Sequence, residues 1–206
     1  PNGKASVPID LEDVEGVEVE RFSTGVPEYD FVLGGGIVPG SIVLIGGEPG
    51  VGKSTLTLQM CANLRSRGMK CLYVSGEESP AQVKMRAQRL GNGAEKVTYL
   101  GETCVERIIE HAENLRPHLL LIDSIQTLYS EDLEGAPGNV GQVRECAAKL
   151  QRFAKETGSA TFVIGHVTKG GAIAGPQTLA HIVDTVIYFE NAGVLEKARC
   201  IGYLAG

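Results

Sequence analysis

A glycine-rich stretch between two apolar segments constrains this chain more than any other feature. Residues 47–54 fit the phosphate-loop pattern G-x-x-x-x-G-K-[ST]. The apolar, β-branched run 41–45 predicts a buried strand before the loop, and apolar residues at helical spacing in 55–67 predict a helix after it. Strand, loop and helix in this order are the context in which the pattern binds phosphates. The alternative is a glycine-rich turn that only connects a strand to a helix.

The backbone of such a loop explains why it would bind a polyphosphate. Glycines allow positive φ angles, so successive amide N–H groups point into one concavity, and the following helix adds the partial positive charge of its N-terminus. We expect Lys53 to reach the β- and γ-phosphates and the Ser54 hydroxyl to bind Mg²⁺. The residues predicted to bind ATP or ADP are Gly47, Glu48, Pro49, Gly50, Val51, Gly52, Lys53, Ser54 and Thr55.

The composition is that of a globular protein. The chain has 206 residues, 43% hydrophobic and 21% charged, which is enough for one domain with a buried core. No apolar run approaches the ~20 residues that cross a bilayer, and the polar, acidic residues 1–20 do not form a secretory signal. We therefore predict a cytoplasmic protein with a flexible acidic leader at 1–20 and one domain at 21–206.

Charge, cysteines and histidines narrow the function further. The net charge of −6 argues against a broadly basic nucleic-acid surface but allows a local groove. The five cysteines are scattered without a C-x-x-C motif, and the four histidines show no metal-ligand spacing. We expect reduced thiols and no zinc in this chain.

Strand-like and helix-like segments alternate after the phosphate loop. Further strands are predicted at 70–75, 96–100, 118–124, 160–166 and 181–189, with helices at 80–90, 103–115 and 140–156. Capping boxes at Ser79 and Thr103 predict the starts of the first two of these helices. The alternation predicts an α/β fold with a mostly parallel central sheet flanked by helices. Ligands gather at the carboxyl ends of such strands, where Glu77, Asp123 and His166 also fall.

These strand ends supply the candidate catalytic groups. Asp123 is the natural second ligand, direct or through water, for an Mg²⁺ held by Ser54, although it could only cap the next turn. We favour Glu77 over Glu78 as the base that deprotonates the attacking water, and both could instead be helix-start charges. His166 could hydrogen-bond the γ-phosphate or be a core histidine. The predicted catalytic residues are Lys53, Glu77, Glu78 and His166, and the predicted Mg²⁺ ligands are Ser54 and Asp123.

Several motifs together resemble the bacterial RadA/Sms family of DNA repair ATPases. They are the segments 24–30, 33–41, the phosphate loop, 73–79, 121–126, 165–169 and 171–176. The resemblance covers about residues 20–190. The last of these segments discriminates best, because very many NTPases share the phosphate loop.

The resemblance implies a RecA-like P-loop NTPase core at 21–206. The family hydrolyses ATP with Mg²⁺, forms hexameric rings, binds single-stranded DNA and drives branch migration of branched recombination intermediates, which leaves room for recombinase or helicase partners. Its two central loops would correspond to 129–143 and 167–176, and the predicted DNA contacts are Lys169, Gly170, Gly171 and Arg144. Three carboxylates, Glu131, Asp132 and Glu134, make the first loop unfavourable for DNA. A RecA-like topology is expected to put the strand before Glu77 between the phosphate-loop strand and the Asp123 strand.

The chain also departs from the family. These 206 residues contain neither its N-terminal four-cysteine zinc motif nor its C-terminal Lon-protease-like domain, and the Lys-Asn-Arg-Phe-Gly motif expected shortly after Glu190 is not found. Two other classes of function therefore stay open. One is a nucleotide-gated binding module without efficient turnover. The other is a small-molecule kinase, which would need a lid carrying several arginines.

Overall fold

Strands and helices alternate along the part of the chain that the computed structural model describes, which is Asp10 and residues 20–166, 176–190 and 199–204. The strands are β1 (Ile42–Gly47), β2 (Cys71–Ser75), β3 (Thr98–Leu100), β4 (Leu119–Asp123), β5 (Ala160–Ile164), β6 (Thr185–Glu190) and β7 (Arg199–Leu204). The helices are α1 (Pro27–Val32), α2 (Lys53–Ser66), α3 (Pro80–Leu90), α4 (Val105–Leu115), α5 (Val140–Thr157) and α6 (Pro176–Leu179), with 3₁₀ turns at Ala94–Lys96 and Ile125–Thr127. The predicted leader 1–20 lies outside these ranges except for Asp10 and Glu20.

One sheet joins the seven described strands in the order β3-β2-β4-β5-β1-β6-β7. Neighbouring strands from β3 to β6 are parallel, and β7 runs antiparallel to β6. The predicted α/β fold with a mostly parallel sheet and flanking helices is therefore confirmed, and it is consistent with a RecA-like P-loop domain.

The predicted position of the strand before Glu77 is wrong. Strand β2 does not lie between the phosphate-loop strand β1 and the Asp123 strand β4; it lies beyond β4, and β5 separates β4 from β1. Helix α2 carries the chain past two strand positions before β2 forms, and β4 and β5 later fill those positions. The end of β2 is therefore three strands away from the end of β1.

The core lies on both faces of the sheet. Val43 and Ile45 of β1 pack in one buried cluster with residues of α2 and α3, whereas Ile42 and Leu44 pack in a second cluster with residues of α4 and α5. All six residues of β1, and all five of β2, β4 and β5, are buried. Strands covered on both faces need apolar side chains at every position, which explains the continuous apolar runs in the sequence.

The predicted capping box at Ser79 is confirmed. The Ser79 hydroxyl accepts a hydrogen bond from the Gln82 N–H, and the Gln82 side chain accepts one from the Ser79 N–H. The strand predicted from residue 181 begins later, at Thr185. Asp184 precedes it and accepts a hydrogen bond from the Ile42 N–H through Oδ2, at 2.8 Å.

The predicted capping box at Thr103 is wrong. Helix α4 begins at Val105 with Cys104 at the N-cap position, and no side chain caps it. The carboxylate of Glu102 instead accepts hydrogen bonds from the N–H groups of Thr103 and Cys104. Glu106, the expected partner of Thr103, accepts a hydrogen bond from the Ser130 hydroxyl and is directed to the loop after β4.

No strand is predicted in the tail after Glu190, but β7 forms there. It pairs with β6 from Thr185↔Leu204 to Glu190↔Arg199. An edge strand is held largely by backbone hydrogen bonds to one neighbour, so it needs no continuous apolar run. Within the described ranges, the helices are too short or too polar to span a membrane.

Candidate nucleotide-binding site

The phosphate loop turns where the sequence predicts it. Gly47 ends β1 with φ of 147°, and a Cβ there would come within 2.7 Å of the Phe189 carbonyl oxygen. Gly52, with φ of 98°, is the residue before α2, and Lys53 opens that helix. Both glycines adopt backbone angles that other residues rarely reach. The loop therefore presents its backbone to solvent at the N-terminus of a 14-residue helix.

Lys53 lies against the backbone of this loop. Its Nζ donates hydrogen bonds of 2.8 Å to the carbonyl oxygens of Gly47 and Glu48. The residue is only 4% exposed. Burial lowers the pKa of Lys53, and the negative charge of Asp123 acts in the opposite direction. The negative charge of Asp123 therefore favours the charged form of Lys53, against the effect of burial.

Asp123 ends β4 at the same edge of the sheet. The register sets Asp123 level with Ser75 on one side and with Ile164 on the other, and Ile164 is level with Ile45 of β1. The Tyr73 hydroxyl donates a 2.6 Å hydrogen bond to Asp123 Oδ2. The described residues donate no hydrogen bond to the other oxygen, Oδ1. Among the described residues, Tyr73 thus binds one carboxylate oxygen and leaves the other without a donor, and the role of Asp123 as an Mg²⁺ ligand stays a prediction.

The donor groups at this edge fit Mg²⁺. The ion prefers oxygen ligands and is usually held by one or two carboxylates together with waters and phosphates of the substrate. Asp123 supplies a carboxylate and Ser54, in the first turn of α2, supplies a hydroxyl. No cluster of three or more His, Cys, Asp and Glu side chains suited to a metal occurs in the described part of the chain. Asp123 and Ser54 thus offer oxygen ligands of the kind that Mg²⁺ prefers.

Glu77 faces the ends of β4 and β5. The Ser124 hydroxyl donates a 3.0 Å hydrogen bond to Glu77 Oε1, and the Nε2 of His166 lies 3.6 Å from the same oxygen. Gln126 holds the His166 backbone by accepting from its N–H and donating to its carbonyl oxygen, each over 3.3 Å. The side chains of Glu77 and His166 are 48% and 31% exposed, so both can meet solvent.

Glu78 has different neighbours from Glu77. It forms an ion pair with Arg86 of α3, whose Nη1 donates to the Tyr73 hydroxyl over 3.4 Å. The Tyr99 hydroxyl donates to the Glu78 backbone carbonyl over 2.6 Å. Because Ser79 caps α3, both glutamates lie before the helix and are not part of its first turn.

Four residues of this site were not predicted from the sequence: Tyr73, Arg86, Ser124 and Gln126. A phenol at the centre of the buried strand β2 was an available signal, because a buried hydroxyl needs a partner. Burial is the main cause that raises the pKa of Tyr73, and the Asp123 carboxylate raises it further. The phenol is therefore protonated at neutral pH and can donate. Gln126 gives no comparable signal, since its partner is 40 residues away in the chain.

The predicted DNA contacts are only partly described. Lys169, Gly170 and Gly171 lie outside the described residues, as does the loop at 167–175. Arg144 is exposed on α5, in the second turn of that helix. Arg144 follows the first predicted loop, whereas the phosphate loop precedes a different helix, α2.

Two of the three acidic residues of the first predicted loop form ion pairs with neighbouring cations. Glu131 pairs with Arg107 at 3.0 Å, and Asp132 pairs with Lys149. Buried Gln142 accepts from the Ser130 N–H and donates to the carbonyl oxygens of three loop residues. The charge of this loop is therefore partly neutralised, and its backbone is tied to α5.

A phosphate loop at the end of a parallel strand, with a carboxylate at the end of another, defines a P-loop NTPase domain. A match to the AAA domain family covers residues 8–172, so the chain belongs to that family. It is also similar to bacterial proteins named DNA repair protein RadA. The protein of Pseudomonas aeruginosa is 56% identical over 181 residues, 88% of this chain and 40% of that protein.

Two further relatives carry the same name. The protein of Streptococcus pyogenes serotype M6 is 50% identical over 189 residues, 92% of this chain and 42% of that protein. The protein of Campylobacter jejuni is 51% identical over 200 residues, 97% of this chain and 45% of that protein. The resemblance to the RadA family is thus confirmed. The chain spans less than half the length of these relatives.

Proposed function

We propose that this chain is the ATP-binding and ATP-hydrolysing core of a DNA repair and recombination factor. The similarity to proteins named DNA repair protein RadA supports the repair assignment. One observation carries the ATPase assignment: Lys53 contacts the phosphate loop at the end of β1, and Asp123 ends β4 at the same carboxyl edge of the sheet, level with Ser75 of β2. In this proposal the cation of the phosphate loop, the carboxylate ligand and the candidate base act in one site.

The loop residues would bind the nucleotide. The amides of residues 47–55 and the ammonium group of Lys53 would hold the phosphates. The phosphate oxygens would compete for the Lys53 ammonium with the two carbonyl oxygens to which it donates. Ser54 and Asp123 would hold Mg²⁺. When bound, the ion would neutralise charge on the phosphates.

Glu77 is the base in this proposal. Its Oε1 accepts from Ser124 and faces His166, which fixes its direction, while its exposed surface leaves access for water. Glu78 is paired with Arg86, so a proton on it would break an ion pair. His166 lies beside Glu77 and would hydrogen-bond the γ-phosphate. Loss of the γ-phosphate on hydrolysis would break this bond and so change the position of His166, which directly precedes the segment 167–176.

The DNA-directed part rests on the family resemblance. We propose that single-stranded DNA stimulates turnover, and that copies assemble into a hexameric ring that acts on branched intermediates, alone or with recombinase or helicase partners. Lys169, Gly170, Gly171 and Arg144 are the proposed contacts. Light scattering and electron microscopy with and without nucleotide and DNA would measure the assembly.

A steady-state assay of phosphate release tests the central proposal. The chain and its Lys53→Ala variant are compared with Mg-ATP, with and without single-stranded DNA. Turnover that DNA stimulates and that Lys53→Ala abolishes is the expected result. Nucleotide binding without turnover would favour the nucleotide-gated binding module, and phosphoryl transfer that requires an added small acceptor would favour the kinase.

A further inference from the structure

A row of hydrogen bonds leads from helix α3 to the carboxylate of Asp123. Arg86 pairs with Glu78 through Nη2 and donates from Nη1 to the phenol oxygen of Tyr73 over 3.4 Å. The Tyr73 hydroxyl in turn donates to Asp123 Oδ2 over 2.6 Å. Tyr73 is 0% exposed and Asp123 is 6% exposed, so water cannot readily replace either bond.

The chemistry of these groups sets the direction of each bond. A guanidinium has donors but no acceptor, so Arg86 can only occupy a lone pair of the Tyr73 oxygen. The single hydroxyl hydrogen of Tyr73 is then left for the Asp123 carboxylate, which only accepts when ionised. Arg86 therefore supports the orientation in which Tyr73 donates to Asp123, and Glu78 holds Arg86.

We propose that Tyr73 is a positioning residue for the Mg²⁺ ligand Asp123, and that Arg86 maintains Tyr73 in this role. The inference rests on the proposed function, since it takes Asp123 as the carboxylate that serves Mg-nucleotide. Tyr73 occupies Oδ2, and the described residues leave Oδ1 without a hydrogen bond. One oxygen is thus anchored in the core and the other is directed to the ligand. Partners of this kind orient metal-binding carboxylates in many proteins.

Tyr73→Phe separates this role from a packing role. The variant keeps the ring, which packs in the core beside α2 and α3, and removes one hydroxyl. Loss of such a partner typically weakens metal affinity ~10–100-fold. The Mg²⁺ concentration that gives half of the full increase in nucleotide affinity should therefore rise by about tenfold or more. Nucleotide affinity without metal should stay as in the unmodified chain.

The experiment titrates a fluorescent ADP analogue into the 206-residue chain in EDTA and at increasing Mg²⁺ concentrations. Tyr99→Phe is the matched control, because it also removes one tyrosine hydroxyl. That hydroxyl donates a partly buried hydrogen bond to the Glu78 backbone carbonyl and not to Asp123. The control should show the unmodified Mg²⁺ response. A structural role alone would change the affinities in EDTA and in Mg²⁺ by the same factor.

A second pair of variants tests the role of Arg86 and serves if Tyr73→Phe does not fold. Arg86→Gln removes the donor to Tyr73, whereas Arg89→Gln changes an exposed arginine on the same helix. Arg86→Gln should raise the half-saturating Mg²⁺ concentration, as Tyr73→Phe does, and Arg89→Gln should leave it unchanged.

The outcomes distinguish the inference from the proposed function. If Mg²⁺ strengthens nucleotide binding in the unmodified chain, and Tyr73→Phe and Arg86→Gln respond to Mg²⁺ as it does, the inference is overturned and the proposed function stands. If the unmodified chain shows no nucleotide binding at any Mg²⁺ concentration, both are overturned. A selective loss of the Mg²⁺ response in Tyr73→Phe supports the inference.

Discussion

The Ser124 hydroxyl lies 3.0 Å from Glu77 Oε1 and donates a hydrogen bond to it. Ser124 directly follows the carboxylate Asp123, so this bond links the segment after β2 to the end of β4. The neighbouring Glu78 is held by Arg86 instead. Two adjacent glutamates therefore have different surroundings, and the difference bears on which of them acts as the base.

Glu77→Gln should retain nucleotide binding and slow ATP hydrolysis by ~10²-fold or more, because an amide cannot take the proton of the attacking water. Glu78→Gln is the comparison variant and is measured at saturating Mg²⁺, because Glu78 holds Arg86. Under that condition it should slow hydrolysis much less than Glu77→Gln. Phosphate release and binding of a fluorescent nucleotide measure the two effects. If Glu78→Gln shows the slow turnover and Glu77→Gln does not, the assignment between them is wrong.

Lys53→Ala should abolish nucleotide binding or turnover, because the variant removes the loop cation that is proposed to contact the β- and γ-phosphates. Lys84→Ala, at an exposed position of α3, controls for the loss of a positive charge. Nucleotide titration and phosphate release are the measurements. Unchanged hydrolysis in Lys53→Ala would exclude a role of the loop in catalysis.

Lys169→Ala should weaken binding of single-stranded DNA and lower its salt dependence. Each phosphate neutralised on a single strand contributes about −0.7 to the slope of log K against log [salt], so the slope should become shallower by that amount. Fluorescence anisotropy at several salt concentrations measures it. Lys84→Ala again serves as the control, and an unaltered slope in Lys169→Ala would remove this residue from the proposed DNA surface.

Gln142→Leu should loosen the first predicted loop and destabilise the fold by about 1–3 kcal/mol, because it leaves buried backbone groups without partners. Gln142 is 1% exposed and its side chain contacts the backbone of residues 130, 133 and 135. Hydrogen exchange should become faster in 130–139, and urea unfolding should report the lower stability. Gln88→Leu, at an exposed position of α3, should change neither.

Glu106 should contribute stability that depends on acid pH. Burial acts to raise its pKa, but hydrogen bonds from Lys149 and Ser130 outweigh burial and lower the pKa to about 2. A carboxyl of lowered pKa stabilises the fold above its unfolded pKa of about 4.3, and this contribution is lost as the pH falls towards 2. The difference in free energy of unfolding between the unmodified chain and Glu106→Gln should therefore shrink from about pH 4.5 to pH 2.

Urea unfolding at a series of pH values measures this difference. Glu110→Gln, at an exposed position on the same helix, is measured alongside as the control for loss of a carboxylate from α4. A difference for Glu106→Gln that stays constant down to pH 2 would contradict a lowered pKa.

Much of the architecture was predictable because its signals are local. The apolar runs of β1, β4 and β5 mark buried strands since both faces of the sheet are covered. The Ser79 box marks the start of α3 since the cap and its partner are three residues apart. The Thr103 box failed because Glu106 pairs with Ser130 and Lys149, and those partners come from α5 and the loop after β4.

The sequence alone determined the phosphate loop, the alternation of strands and helices, and the strand ends where Asp123, Glu77 and His166 lie. These features depend on residues close together in the chain. Tertiary structure alone decided that β5 lies between β1 and β4, that Tyr73 anchors Asp123, and that Glu77 rather than Glu78 meets Ser124. Partners 47 and 50 residues apart are brought together by sheet order and packing, which no local pattern encodes.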